Sequence, residues 1–105
     1  MAKRYRYTNT PSVIQGDVPD GEEVCAICGK YIPCDFHHIL NGSRKKFSEE
    51  QGLWVWLCRE DHRWLHDTNQ GHRQWNRWRV KCQEVYEQMH DREEWMRNAH
   101  KNYIP

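Results

Sequence analysis

Between residues 25 and 66 the chain spaces cysteines and histidines in a way that leaves few ways to fold: Cys25-x-x-Cys28, the adjacent pair His37-His38, then Cys58, then His62-x-x-x-His66. Donors that must converge on an ion dictate which segments lie side by side. Hydrophobic content is a weaker constraint here. Mean hydropathy is −1.13, 30% of the residues are charged, and six Trp and five Tyr carry much of the burial capacity. With 105 residues the chain is expected to form one small domain around one core. A polar domain of that size commonly needs a staple, and a structural metal is the obvious candidate.

Five cysteines are an odd number, and two of them stand as Cys-x-x-Cys beside many histidines. Thiols used for metal in a reducing cytoplasm are therefore favoured over a disulfide framework. The N-terminus has basic residues but no apolar stretch, so neither a secretory leader nor a membrane span is expected. A net charge of +1 does not announce a nucleic-acid binder. Any DNA-binding surface must be local, with Arg44-Lys45-Lys46 and residues 73–81 as candidates.

Residues 1–23 read as a flexible basic arm in which Lys3-Arg4-Tyr5-Arg6-Tyr7 could lie on DNA. Pro11, Gly16, Pro19 and Gly21 break regular structure there. Residues 24–105 read as a single domain, with the knuckle and core over 24–70 and helices over 71–105. Cys25-Ala-Ile-Cys28-Gly29-Lys30 has the form of a zinc knuckle, Tyr31 to Leu40 of a short strand ending in the histidine pair, and Asn41-Gly42-Ser43 of a turn into a basic loop. Leu53 to Leu57, aromatic, β-branched and continuous, is the clearest strand. Glu60 to Thr68 reads as a helix, with Gly71 interrupting it. A longer helix follows over about 73–89, its stripe of Trp75, Trp78, Cys82, Val85, Tyr86 and Met89 forming a core face. Asp91-Arg-Glu-Glu94 fits an N-cap with an acidic residue three positions on.

Two histidines four apart on a helix project together, so His62 and His66 can share an ion. A third imidazole, from His37 or His38, completes a three-nitrogen site with an open position. The remaining histidine of the pair is free to act as general base, since an imidazole ordinarily titrates near neutrality. Neighbours on an ideal strand face opposite ways, so both histidines in one site require a kink or bulge. Cys25, Cys28 and Cys58 form an outer set for a structural zinc, with Asp61 or Cys34 as the fourth donor.

Cys-x-x-Cys, His37-His38-Ile39 and Leu57-Cys58-Arg-Glu-x-His62-x-x-x-His66 together resemble the HNH endonuclease superfamily, in particular small phage-encoded members with a zinc ribbon. Residues 25–66 carry the resemblance; Gln83-Glu-x-Tyr-Glu87 and Lys101-Asn-Tyr-Ile104 are similar to those proteins more loosely. The resemblance implies an α+β fold with a ββα-metal core, a zinc knuckle and added C-terminal helices. It implies His37 and His62 as ligands of a catalytic divalent ion (magnesium, manganese, nickel or zinc), His38 as the general base, and His66 as the last histidine of the set. The chain departs from the family in having Asp61 where a second Cys-x-x-Cys would end. It also has Gln51 or Gly52 near the Asn that orients the base, which leaves a backbone carbonyl to orient His38.

The expected function is metal-dependent hydrolysis of DNA phosphodiester bonds, with nicking or cutting of double strands at low sequence preference. Arg44, Lys45 and Arg63 are the candidate phosphate contacts. DNA is the implied partner; a second copy of the chain and phage packaging or recombination proteins are further candidates, in the cytoplasm of a phage host. The competing readings are a non-catalytic zinc-stabilised nucleic-acid-binding module and a protein-interaction module that uses the tryptophans as a docking surface.

Overall fold

An unbroken run of aromatic, β-branched and aliphatic residues suits a strand covered on both faces. That strand is β2, Trp54–Cys58, and all five of its residues are buried. It pairs antiparallel with β1, Cys34–His38, in continuous register from Cys34 opposite Cys58 to His38 opposite Trp54. In the computed structural model residues 6–19 and 21–105 are described; Lys3, Arg4 and Tyr5 of the basic terminus lie outside them. Among the described residues the architecture is mixed α+β: one two-stranded antiparallel sheet and four α-helices.

β1 begins later than the Tyr31 expected for it. Pro33 has no N–H to offer a ladder, and pairing starts at the next residue. The alternation of a pleated strand then sorts β1 by face. Asp35 and His37 point toward the helices. Phe36 and His38 point the other way, where Phe36 stacks on Trp54 and sits edge-on to Trp56.

The segment after β1, read as a turn and a basic loop, is instead helical. A 3-10 turn over Gly42–Arg44 leads into α1, Lys45–Glu50. Six residues are too few for a hydrophobic period to register, and neither helix start carries a side-chain cap. Tertiary bonds hold it: the buried Ser48 hydroxyl donates to Leu53 O and accepts from Leu40 N. Arg44 is turned inward, donating to Ala99 O at 3.0 Å and to the Tyr103 hydroxyl at 2.8 Å.

Residues 6–19, expected within a flexible arm, pack along the outer edge of β2. Ser12 is buried and donates to Trp54 O, Val13 N donates to Gly52 O at 2.8 Å, and the Gln15 carboxamide accepts from Trp56 N at 2.7 Å. Gly52 has φ +75, and a Cβ there would lie 2.1 Å from Pro11 O, so the close approach requires glycine.

α2 spans Arg59–Asp67, α3 Asn69–Tyr86 and α4 Arg92–Ala99. α2 packs on both strands and on α3. The α2–α3 break falls at Thr68, whose hydroxyl caps α3 by accepting from Gly71 N at 2.8 Å. Gly71 therefore lies inside a helix rather than interrupting one. Trp75, Trp78, Cys82 and Tyr86 form the expected core face, whereas Met89 lies beyond the helix end and is 84% exposed. Asp91 caps α4 through Glu94 N at 2.8 Å, as the spacing predicts. Buried Gln83 accepts from Tyr103 N at 2.7 Å and donates to Asn102 at 2.8 Å, which docks the C-terminal segment on α3.

Gly71 also lies against the end of α2: a Cβ there would sit 2.2 Å from Trp64 O. Gly71→Ala is expected to destabilise the fold by about 1–3 kcal/mol, the range for overpacking a close contact. Urea unfolding measures it; an unchanged midpoint would mean that α2 and α3 can separate without loss.

Candidate metal centres

The knuckle turn places Cys25 and Cys28 together, with Gly29 at φ +74 relieving the backbone. Cys58 ends β2 and is also the N-cap of α2, its sulfur accepting from Asp61 N at 3.4 Å. That cap turns Asp61 back toward the knuckle. Donor atoms of Cys25, Cys28, Cys58 and Asp61 lie within 4.8 Å of one another, and the four could hold a metal ion such as zinc. Asp61 Oδ2 accepts from the Cys25 thiol at 3.1 Å and from the Cys58 thiol at 3.2 Å. Burial pushes the Cys25 thiol above its ordinary range and Cys58 up to about 12. Burial would raise the Asp61 carboxyl as well, but hydrogen bonds from the Cys25, Cys58 and Cys28 thiols and the charge of Lys30 together outweigh it and hold the group low. Cys34 is not part of the set; it is buried and donates to Ile32 O at 3.1 Å. Three thiols and a carboxylate make a closed four-donor arrangement, the kind that suits a structural ion.

The second set is built from β1 and α2. Donor atoms of His37, His62 and His66 also lie within 4.8 Å of one another and could hold an ion. Zinc–nitrogen bonds of about 2.0–2.1 Å at a tetrahedral angle set two ligand nitrogens about 3.3 Å apart. His62 Nε2 and His66 Nε2 are 3.2 Å apart. His37 is 3% exposed, its ring edge-on to Trp75, and its Nε2 is buried with no hydrogen-bond partner among the described residues. Burial pushes its pKa down to about 2, leaving a neutral ring. An orphaned neutral imidazole beside two others is the donor chemistry an ion would satisfy.

His62 and His66 open onto a cleft of about 230 Å³, lined also by Asp35, Arg59 and Arg63. Asp35 and Arg59 were not singled out from the sequence. The signal for Asp35 was present, since it stands two residues before His37 and a strand brings such residues to one face. Of the three residues suggested as phosphate contacts, Arg63 lines the cleft and Arg44 and Lys45 do not.

His38 takes no part in the imidazole set, and the kink that would have brought it there is absent from the continuous β1–β2 register. Its ring lies 5.1 Å from Phe36 and 5.2 Å from Tyr7, and its Nε2 is 3.1 Å from Glu49 Oε2. The partner of that nitrogen is thus a side-chain carboxylate and not the backbone carbonyl expected from the sequence. Glu49 rides on α1, so it could be found only once that helix was known.

Comparisons with protein-family models, with curated proteins and with solved structures find no match for this chain.

Two measurements check the thiol set. Chelation should abolish cooperative thermal unfolding, because a closed metal site contributes folding free energy directly; an unchanged transition in metal-free protein would exclude it. Before chelation, alkylation at pH 8 should spare Cys82, whose buried thiol is pushed up to about 12 and stays protonated there, and chelation should open both it and Cys28 to the reagent. Mass spectrometry reads the sites.

Proposed function

We propose that the chain is a metal-dependent nuclease of the ββα-metal kind that hydrolyses phosphodiester bonds in DNA, with zinc at the thiol set as its structural staple. One observation carries the reading: of three imidazoles able to share an ion, His62 and His66 open onto a cleft that also holds Arg59 and Arg63. A divalent ion held by His37, His62 and His66 would supply stabilisation of the charge that develops on the phosphate and its leaving oxygen. Guanidinium groups recognise phosphate oxygens in a bidentate fashion, which suits Arg63 and Arg59 to hold the strand. Neither reads bases, in keeping with low sequence preference.

His38 is the general base in this reading. The Glu49 carboxylate can only accept, so it fixes the His38 proton on Nε2 and leaves Nδ1 to take a proton from water. Displacement at phosphorus runs in line, with the attacking and leaving oxygens on opposite sides. A base and a set of metal donors therefore belong on opposite sides of the scissile group. Strand alternation provides that separation, with His37 on one face of β1 and His38 on the other. The opposed faces, which from the sequence looked like an obstacle, fit the reaction better than a bulge would.

A plasmid-nicking assay with manganese, magnesium, nickel or zinc, with and without chelator, tests the activity. His38→Ala should keep metal content and DNA affinity while slowing nicking by about 10²–10⁴-fold. Glu49→Gln should fall between His38→Ala and the parent. Equal nicking by His38→Ala and the parent would remove His38 from the base role. A parent that binds DNA but never nicks it would favour the non-catalytic binding module.

A further inference from the structure

Beyond the ligands themselves, one side chain in the cleft has a geometry that bears on how the imidazole set works. Asp35 Oδ2 lies 3.1 Å from His62 Nδ1. The other oxygen, Oδ1, lies 3.5 Å from the Arg59 guanidinium. Both Asp35 and His62 are about a quarter exposed at the side chain, at the rim of the cleft rather than in open solvent. We propose that Asp35 is the positioning residue of this centre: its carboxylate holds the His62 proton on Nδ1, so that Nε2 presents its lone pair toward His66 and His37. This inference rests on the metal-centre reading above and names what makes His62 a competent donor.

A free imidazole divides its single proton between two nitrogens, and only the unprotonated one can bind a metal. A carboxylate beside Nδ1 accepts a hydrogen bond and cannot donate one, so it selects the Nδ1–H form. The nitrogen left unprotonated is then Nε2, the atom 3.2 Å from His66 Nε2. Without an ion, a proton on His66 Nε2 can bridge that gap; an ion would take its place. The same hydrogen bond sets the angle of the ring, which is how a carboxylate behind a ligating histidine strengthens a metal site.

Period-2 geometry makes the arrangement possible. Asp35 and His37 lie on one face of β1, so a single strand supplies both a donor and the carboxylate that prepares a second donor on α2. Arg59, in the first turn of α2 and 70% exposed at its side chain, gives Asp35 a screened charge partner only. The His62 imidazole, at 3.1 Å, lies closer to Asp35 than Arg59 does at 3.5 Å.

The test uses the full-length chain and the parent first. In folded parent protein loaded with zinc at the thiol set alone, long-range nitrogen–proton NMR of the histidine side chains should show His62 protonated on Nδ1 and unprotonated on Nε2. Zinc titration, followed on the His37, His62 and His66 ring signals, reports this centre separately from the thiol set. Asp35→Asn, nearly isosteric, can turn its amide to donate to Nδ1. It should bring in the Nε2–H form of His62 and weaken zinc binding at these rings by about 10–100-fold. Asp35→Glu should recover part of the loss. A parent with the His62 proton on Nε2 would overturn the proposal whether or not any variant folds. So would Asp35→Asn protein that binds zinc at these rings as tightly as the parent. If zinc leaves all three ring signals of the parent unmoved, the metal-centre reading fails, while the tautomer result still decides the role of Asp35 at His62.

Discussion

Five consecutive buried residues in β2 oblige each neighbouring segment to supply either apolar cover or a hydrogen-bond partner. β1 satisfies one edge through the antiparallel ladder. The other edge is met by Ser12, by the Gln15 side chain and by Ala26, which donates to Trp56 O at 2.9 Å. One face is closed by stacked aromatics, Phe36 on Trp54, and the other by α2. Both candidate metal centres stand where these covers meet the strand, so their geometry follows from how β2 is enclosed.

α2 links the two centres. Its N-cap is Cys58 and its first turn holds Asp61, both of the thiol set; the next residue and the one four later, His62 and His66, belong to the imidazole set. An ion at the thiols would therefore fix the start of the helix whose next turn aims the imidazoles. For a chain of low aliphatic content this is an economical arrangement, since one ion would orient the helix that carries donors of both sets. The division of donor types is consistent with it: a closed set of four at the knuckle and an open set of three at the cleft.

Several features that bear on function came from contacts between segments distant in sequence. Arg44, expected at phosphate, is held by Ala99 and Tyr103 and serves the docking of the C-terminus. Glu49, eleven residues from His38, is its hydrogen-bond partner because α1 folds back beside β1. Gln51 and Gly52 were the positions at which an orienting group was sought. Gly52 instead accommodates the backbone at Pro11, and the polar partner comes from one turn earlier on α1.

By itself the sequence determined what depends on local period and local chemistry. A Cys-x-x-Cys turn, a His-x-x-x-His on one helix face, a five-residue apolar strand and the Asp91 cap each depend on backbone spacings of a few residues, and each formed, the strand one residue later than expected, at Trp54–Cys58. The separation of His37 from His38 was legible for the same reason, because a strand alternates every residue. Only the tertiary structure decided that Asp61, and not Cys34, joins the three thiols, that Glu49 holds His38, and that residues 6–19 close the edge of β2. Those outcomes depend on register and on the path of the chain between distant segments. Burial and hydrogen-bond satisfaction over the whole core set that path, and no short window of sequence contains both partners.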